Sequence, residues 1–345
     1  MERFRKTICI LCVFTMVFSY AACGKKKTTT TTQATQIVED NIQDIQNNEV
    51  VVTDSTTTTQ ASNYTPQATQ PVQTQPAPTQ TPVQQGQQQQ QPQQTDAPTE
   101  APTQATVQNS GSVETIIYDE VTPRQTVYCP PNMRGSNQSY PVLVWANGTM
   151  VKADFYAGLF VELSNMGYIV IANDESMSAD GSAQLYSLDF LLNESNNSAS
   201  PLYGKVDSNK IALIGHSQGG RSSVNAAAKD NRVKCVISIA GSNFDYEAEL
   251  NSKPTLFFAG SKDMIVNPEQ WLVTAFDAVK GPAVYGCLEG ATHTTCTSDP
   301  GKYTYYISRW CDAWLNGNEQ SKSIFRNGGE MANDGNWNDF RSKGF

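Results

Sequence analysis

The stretch Lys210-Ile211-Ala212-Leu213-Ile214-Gly215-His216-Ser217-Gln218-Gly219-Gly220 constrains the fold of this chain more than any other. Ile211 to Ile214 is a short apolar run with the length of a buried strand. Gly215 to Gly219 is a Gly-x-Ser-x-Gly pentapeptide, and Arg221 to Lys229, with Ala226, Ala227 and Ala228, reads as a helix. Strand, tight turn and helix in that order are the setting of a nucleophile elbow. Such a turn holds its serine in a strained backbone conformation, and only small residues fit where strand and helix approach closely. Ser217 then stands at the head of the helix, and the backbone N–H of Gln218 points to where an oxyanion would form. The plain alternative is a loop serine between two turn glycines. The residues available as partners for Ser217 bear on that choice.

A serine nucleophile needs a base within hydrogen-bond reach, and the base needs an orienting acid. The chain has two histidines. His216 adjoins Ser217 in the elbow, where neighbouring side chains diverge, so the expected base is His293, in Gly290-Ala291-Thr292-His293-Thr294. The acid is chosen by position, because catalytic groups in parallel α/β sheets gather at the carboxyl ends of the strands. Asp263 follows the apolar run Thr255 to Ala259 and is the expected acid. Asp245, in a polar loop, and Glu289, close to His293 along the chain, are the competitors. The second oxyanion donor is expected in Asn147-Gly148-Thr149-Met150, at the N–H of Thr149, with Gly148 as the alternative.

The rest of the domain supports this placement. Short apolar runs at Pro141 to Ala146, Tyr168 to Ala172, Val233 to Ala240, Thr255 to Ala259 and Ala283 to Leu288 read as strands. Helices are expected over Val151 to Met166, with an apolar stripe at Phe155, Leu159, Phe160 and Leu163, and over Ser182 to Leu192, Pro268 to Val279 and Tyr303 to Leu315. Alternation of this kind gives an α/β domain with a mostly parallel central sheet covered by helices on both faces. Val113 to Cys129 supplies antiparallel strands at one edge, and the tail after Asn316 reads as irregular. Gly241 to Pro254 matches a plain connection, so no cap domain is expected. The chain order Ser217, Asp263, His293 is that of α/β-hydrolases.

Several of these segments together resemble bacterial cutinase-type polyester hydrolases, and more widely dienelactone-hydrolase-like and chlorophyllase-like esterases. They are Gly215-His216-Ser217-Gln218-Gly219-Gly220, Ser242-Asn243-Phe244, Pro254 to Gly260 with Asp263, Ile265 and Pro268, and Gly290-Ala291-Thr292-His293. The resemblance covers most of residues 140 to 316. It implies an α/β-hydrolase fold, an oxyanion hole at Gln218 and Thr149, and a substrate cleft lined by His216 and Phe244. Gln218 stands where cutinases usually carry methionine, and Asn147 to Met150 lacks their aromatic clamp residue.

Outside the domain the composition changes. Residues 1–22 read as a lipoprotein signal peptide: Arg3, Arg5 and Lys6, then an apolar run from Ile8 to Phe18, then Tyr20-Ala21-Ala22 before Cys23. Lipidation of Cys23 and an extracellular, cell-surface location follow, with an ordinary secretory signal as the alternative. Residues 23–112 are dominated by Thr, Gln and Pro, which bury too little apolar surface to offset chain entropy. They are expected to form a tether, and residues 113–345 the catalytic domain. The net charge of −9, with no basic patch, argues against nucleic acid as a partner. Cys129, Cys235, Cys287, Cys296 and Cys311 leave room for two disulfides and one free thiol, best assigned to Cys235 in its apolar run. With two histidines and no close cysteine pair, neither a metal nor a cofactor is expected.

The function expected from these features is a surface-anchored, monomeric serine esterase that hydrolyses carboxylic esters, including polymer-attached acyl groups, through an acyl-enzyme. A non-catalytic surface-binding module of the same fold, and a peptidase or acyltransferase using the same triad, are the other classes left open.

Overall fold

A computed structural model describes residues 105–110, 113–177, 180–241, 248 and 251–345. The apolar runs form the parallel heart of a ten-stranded sheet in the order β1-β2-β3-β5-β4-β6-β7-β8-β9-β10. Its parallel strands are β4 (Tyr140–Ala146), β5 (Ile169–Asn173), β6 (Val206–His216), β7 (Val233–Ile239), β8 (Thr255–Gly260) and β9 (Ala283–Leu288). At one edge β1 (Thr106–Ser110), β2 (Val113–Tyr118) and β3 (Gln125–Cys129) run antiparallel, as the sequence suggests for Val113 to Cys129. β1 lies ahead of residue 113, where the domain is expected to begin.

These strands are apolar on both faces because both faces are covered. Leu143, Trp145, Ala212 and Ile214 point into one buried layer with α1 (Ala157–Asn165) and the long helix Gly301–Leu315. Their sequence neighbours Val142, Val144, Ile211 and Leu213 point into the other, with α2 (Ser182–Asn196) and α3 (Gln218–Lys229). That is the two-residue alternation of a strand read out on two cores at once. This is an α/β-hydrolase sheet. From β4 the chain crosses to β5 on one side, and β6 then pairs with β4 on the other. Such a reversal opens a crevice at the carboxyl ends of the strands on either side of it. Here those strands are β4 and β6, the two that carry the expected oxyanion loop and the elbow.

Three expectations are corrected. The helix after β4 begins with a 3₁₀ turn, Ala153–Tyr156, before α1. A 3₁₀ turn advances about 120° per residue against about 100° in an α-helix, so the buried stripe starts one position later. Tyr156 is fully buried and Phe155 is 38% exposed, the reverse of the expected stripe. The tail after Asn316 is ordered rather than irregular. After the expected final helix, now labelled α6 (Gly301–Leu315; α4 is Thr274–Ala278 and α5 Thr295–Ser298), come α7 (Glu319–Ile324), α8 (Glu330–Asn333) and β10 (Trp337–Lys343), which pairs antiparallel with β9. Phe325, Met331 and Trp337 bury themselves against the sheet. A Cβ on Gly286 of β9 would meet Met331 Cε at 2.6 Å, so that glycine makes the room they occupy. The helix Pro268–Val279 is likewise divided, into a wide π-type turn, Pro268–Val273, and α4.

Candidate active site

The elbow has the geometry its sequence demands. Ser217 sits between β6 and α3 with φ 55° and ψ −120°, a positive-φ backbone conformation that a non-glycine residue adopts only under constraint. Its N–H donates to the Ile239 carbonyl at 2.9 Å, which ties the turn to β7. A Cβ on Gly215 would lie 2.3 Å from the Gly219 carbonyl oxygen, and one on Gly219 would lie 2.0 Å from that of Ala146. No side chain fits at either position, which is the physical content of the Gly-x-Ser-x-Gly spacing.

Asp263 lies in the turn after β8 and His293 in the loop after β9. The two meet: His293 Nδ1 donates to Asp263 Oδ2 at 2.8 Å, and both side chains are buried. The other oxygen, Asp263 Oδ1, accepts from the N–H groups of Ile265 (2.8 Å) and Val266 (2.9 Å), so the carboxylate is oriented from both sides. Of the competing acids, Glu289 turns away to accept from Asn338, and Asp245 lies outside the described residues. His293 Nε2 is buried and has no hydrogen-bond partner among the described residues. Ser217 is 6% exposed, and its hydroxyl makes no hydrogen bond to another described residue. An imidazole oriented through Nδ1 with Nε2 unoccupied is the arrangement from which a histidine takes a proton.

His216 is placed differently from the cleft-lining position that the resemblance implies. It is 2% exposed, and both ring nitrogens bond to protein groups. Nε2 is 2.7 Å from the carbonyl oxygen of His293, and Nδ1 is 3.0 Å from the hydroxyl of Tyr156. Burial, with His293 beside it, pushes the His216 pKa down to about 3, so the ring is neutral. Its centroid lies 4.6 Å from that of His293. The Gly148 N–H donates to Tyr156 Oη at 2.9 Å and is therefore already committed. A Cβ on Gly148 would come within 3.5 Å of Ser217 Cβ, so this loop runs directly beside the serine. The Thr149 N–H makes no hydrogen bond to another described residue. Phe244, Cys23 and the segments assigned to the signal peptide and to most of the tether lie outside the described residues.

Comparison with known proteins identifies the family. The sequence model of the family described as PETase, PET hydrolase-like, matches residues 67–342. This chain belongs to the PET hydrolase-like family. The resemblance to cutinase-type polyester hydrolases is thereby shown. A bis(hydroxyethyl) terephthalate hydrolase of Streptomyces coelicolor is 24% identical over 197 residues, covering 55% of this chain and 60% of that protein. Cutinase est2 of Thermobifida alba is 23% identical over 197 residues, covering 55% of this chain and 62% of that protein. The chain thus spans about 60% of the length of these curated relatives.

Within this PET hydrolase-like chain, the residue that sequence reasoning missed is Tyr156. The signal for it was weak, because a tyrosine one position from an expected apolar stripe reads as packing. The five described cysteines are all free and buried, so the bridges that the sequence leaves room for are not formed in this structure. Burial, with the Cys311 thiol beside it, raises the Cys235 pKa. Among the described residues no group of three or more His, Cys, Asp or Glu side chains is placed to hold a metal ion.

Proposed function

We propose that this protein is a serine carboxylic ester hydrolase with Ser217 as nucleophile, His293 as general base and acid, and Asp263 as the orienting acid. The observation that carries the reading is the buried Asp263–His293 hydrogen bond, on a histidine whose carbonyl is bonded by His216, the residue before the strained elbow serine. Ser217 Oγ attacks the ester carbonyl carbon while its proton passes to His293 Nε2. The Nδ1–H stays on His293 and donates to Asp263, which stabilises the imidazolium that forms. Negative charge develops on the carbonyl oxygen and is met by the N–H groups of Gln218 and Thr149. The Gly148 N–H already serves Tyr156, which favours Thr149 over the alternative donor. His293 then gives the proton to the departing alcohol, leaving an acyl-enzyme. Water, deprotonated by the same nitrogen, releases the acid and restores Ser217.

The two relatives, named for a terephthalate ester and for cutin, point to esters with bulky or polymer-attached acyl groups. Residues 1–23 support export and a lipid anchor at Cys23, and the Thr/Gln/Pro-rich segment would let a catalytic domain search an insoluble substrate. A fluorophosphonate probe with peptide mapping tests the nucleophile: the label is expected on Ser217 and to vanish in Ser217→Ala. A label on Ser222 or Ser223 overturns the assignment. Rates on p-nitrophenyl esters of increasing acyl length, beside a polyester film, read the substrate class; turnover confined to acetyl esters would refute the bulky-acyl reading.

A further inference from the structure

Buried side chains outside the Ser217, His293, Asp263 set include one hydrogen-bonded chain that links the Gly148 loop, the elbow residue His216 and the backbone of His293. It runs from Gly148 N to Tyr156 Oη (2.9 Å), from Tyr156 Oη to His216 Nδ1 (3.0 Å) and from His216 Nε2 to the His293 carbonyl oxygen (2.7 Å). Its ends fix its direction. An amide N–H can only donate, and a peptide carbonyl can only accept. His216 Nε2 must therefore carry its hydrogen. A neutral ring then leaves Nδ1 as an acceptor, and the Tyr156 hydroxyl must donate to it while accepting from Gly148. One tautomer and one hydroxyl rotamer satisfy all three bonds. Every atom of the chain is used and none is left over.

The anchors of this chain are functional segments. Gly148 begins the loop whose next N–H, that of Thr149, is the proposed oxyanion donor. His216 precedes Ser217, and the His293 carbonyl belongs to the proposed base. Tyr156 itself is held in the core by the rings of Trp145, at 4.6 Å, and Phe160, at 6.1 Å. We infer that Tyr156 and His216 are positioning residues that set the oxyanion loop, the elbow and the catalytic histidine in one fixed register. The neutral state of His216 is part of the device. An imidazolium would carry a hydrogen on Nδ1 facing the tyrosine oxygen and a positive charge against the His293 ring, 4.6 Å away. Asp263, the acid whose charge acts on His216, already accepts from His293 and from two backbone N–H groups.

The inference rests on the proposed triad, and two measurements separate the failure of one from that of the other. With two histidines in the chain, a long-range ¹⁵N–¹H imidazole spectrum of the full-length protein contains two ring systems, and loss of one in His216→Gln assigns it. In the wild type, His216 is expected in the Nε2–H form, unchanged between about pH 5 and pH 8. An Nδ1–H form, or a His216 signal that titrates across that range, overturns the inference without reference to activity. For Tyr156→Phe, kcat on a soluble ester is expected to fall on the order of 10- to 100-fold with KM little changed, as misplacement of reacting groups predicts. An unchanged kcat in that variant, with Ser217→Ala inactive, overturns the positioning role and leaves the triad standing. Activity retained by Ser217→Ala instead sinks the triad reading itself.

Discussion

The carboxyl edge of the sheet and the C-terminal tail both depend on β9, yet they are held in place by different physics. Beyond the end of β9, His293 is fixed by directional bonds: its ring to Asp263, its carbonyl to His216. Along the side of β9, the tail is fixed by bulk. The Trp337 ring lies 4.9 Å from Phe258 and, edge-on, 5.5 Å from Tyr306, Phe325 lies 5.0 Å from Trp310, and Met331 fills the space over Gly286. Polar geometry specifies a position to a fraction of an ångström but adds little net stability. Burial of aromatic surface does the opposite. The site and the tail should therefore respond to mutation in opposite ways.

Ser217→Ala gives the largest expected effect. Hydrolysis should fall on the order of 10⁴-fold or more, while the melting temperature stays near that of the wild type. A large loss of stability would mean that the hydroxyl is a structural group. Trp337→Ala should show the mirror image, a loss of about 3–5 kcal/mol in unfolding free energy with near-normal kcat for the protein that remains folded. Denaturant melts and active-site titration of the same samples separate the two quantities. His216 crosses the division, since it is both buried and directional. Its folded pKa, about 3, lies below the unfolded value of 6.5. The unfolded chain therefore binds a proton first as pH falls. The stability that this neutral ring contributes is complete above pH 6.5 and is lost as pH drops from there through about 3. The slope from this one group reaches about 1.4 kcal/mol per pH unit, and His216→Gln should flatten the acid limb of a stability–pH curve. Gly286→Ala gives the smallest effect. Its Cβ would press on Met331 and Trp337, and about 1–3 kcal/mol of overpacking cost should appear with no change in kcat.

The same division governs what the sequence discloses. The elbow is legible because its geometry is local: two glycines that admit no Cβ and one strained serine lie within five consecutive residues. Asp263 and His293 are legible because parallel strands deliver their loops to one edge, so position after a strand substitutes for knowledge of the contact. Tyr156 is not legible, since its partner His216 lies 60 residues away and a one-residue shift in the helix start decides which aromatic points inward. β10 is hidden for a related reason. Asn338, Asp339 and Arg341 give it the composition of a turn, and a bulge between Asn338 and Arg341 interrupts its alternation. Only the aromatic cluster it lies against makes it a strand.

β1 has a mechanical consequence. The chain enters the described fold at residue 105 and passes at once into this strand, which pairs with β2 and with no other described strand. Thr106, Val107 and Gln108 are exposed, so this part of β1 is held chiefly by its ladder of backbone bonds to β2. A pull transmitted from the N-terminal side loads this strand before any other, whereas β4 and β6 lie further inside the sheet. β1 would then behave as a shear pin. It gives way under load and can zip back when the load is released, while the strands that carry Thr149 and Ser217 keep their alignment throughout.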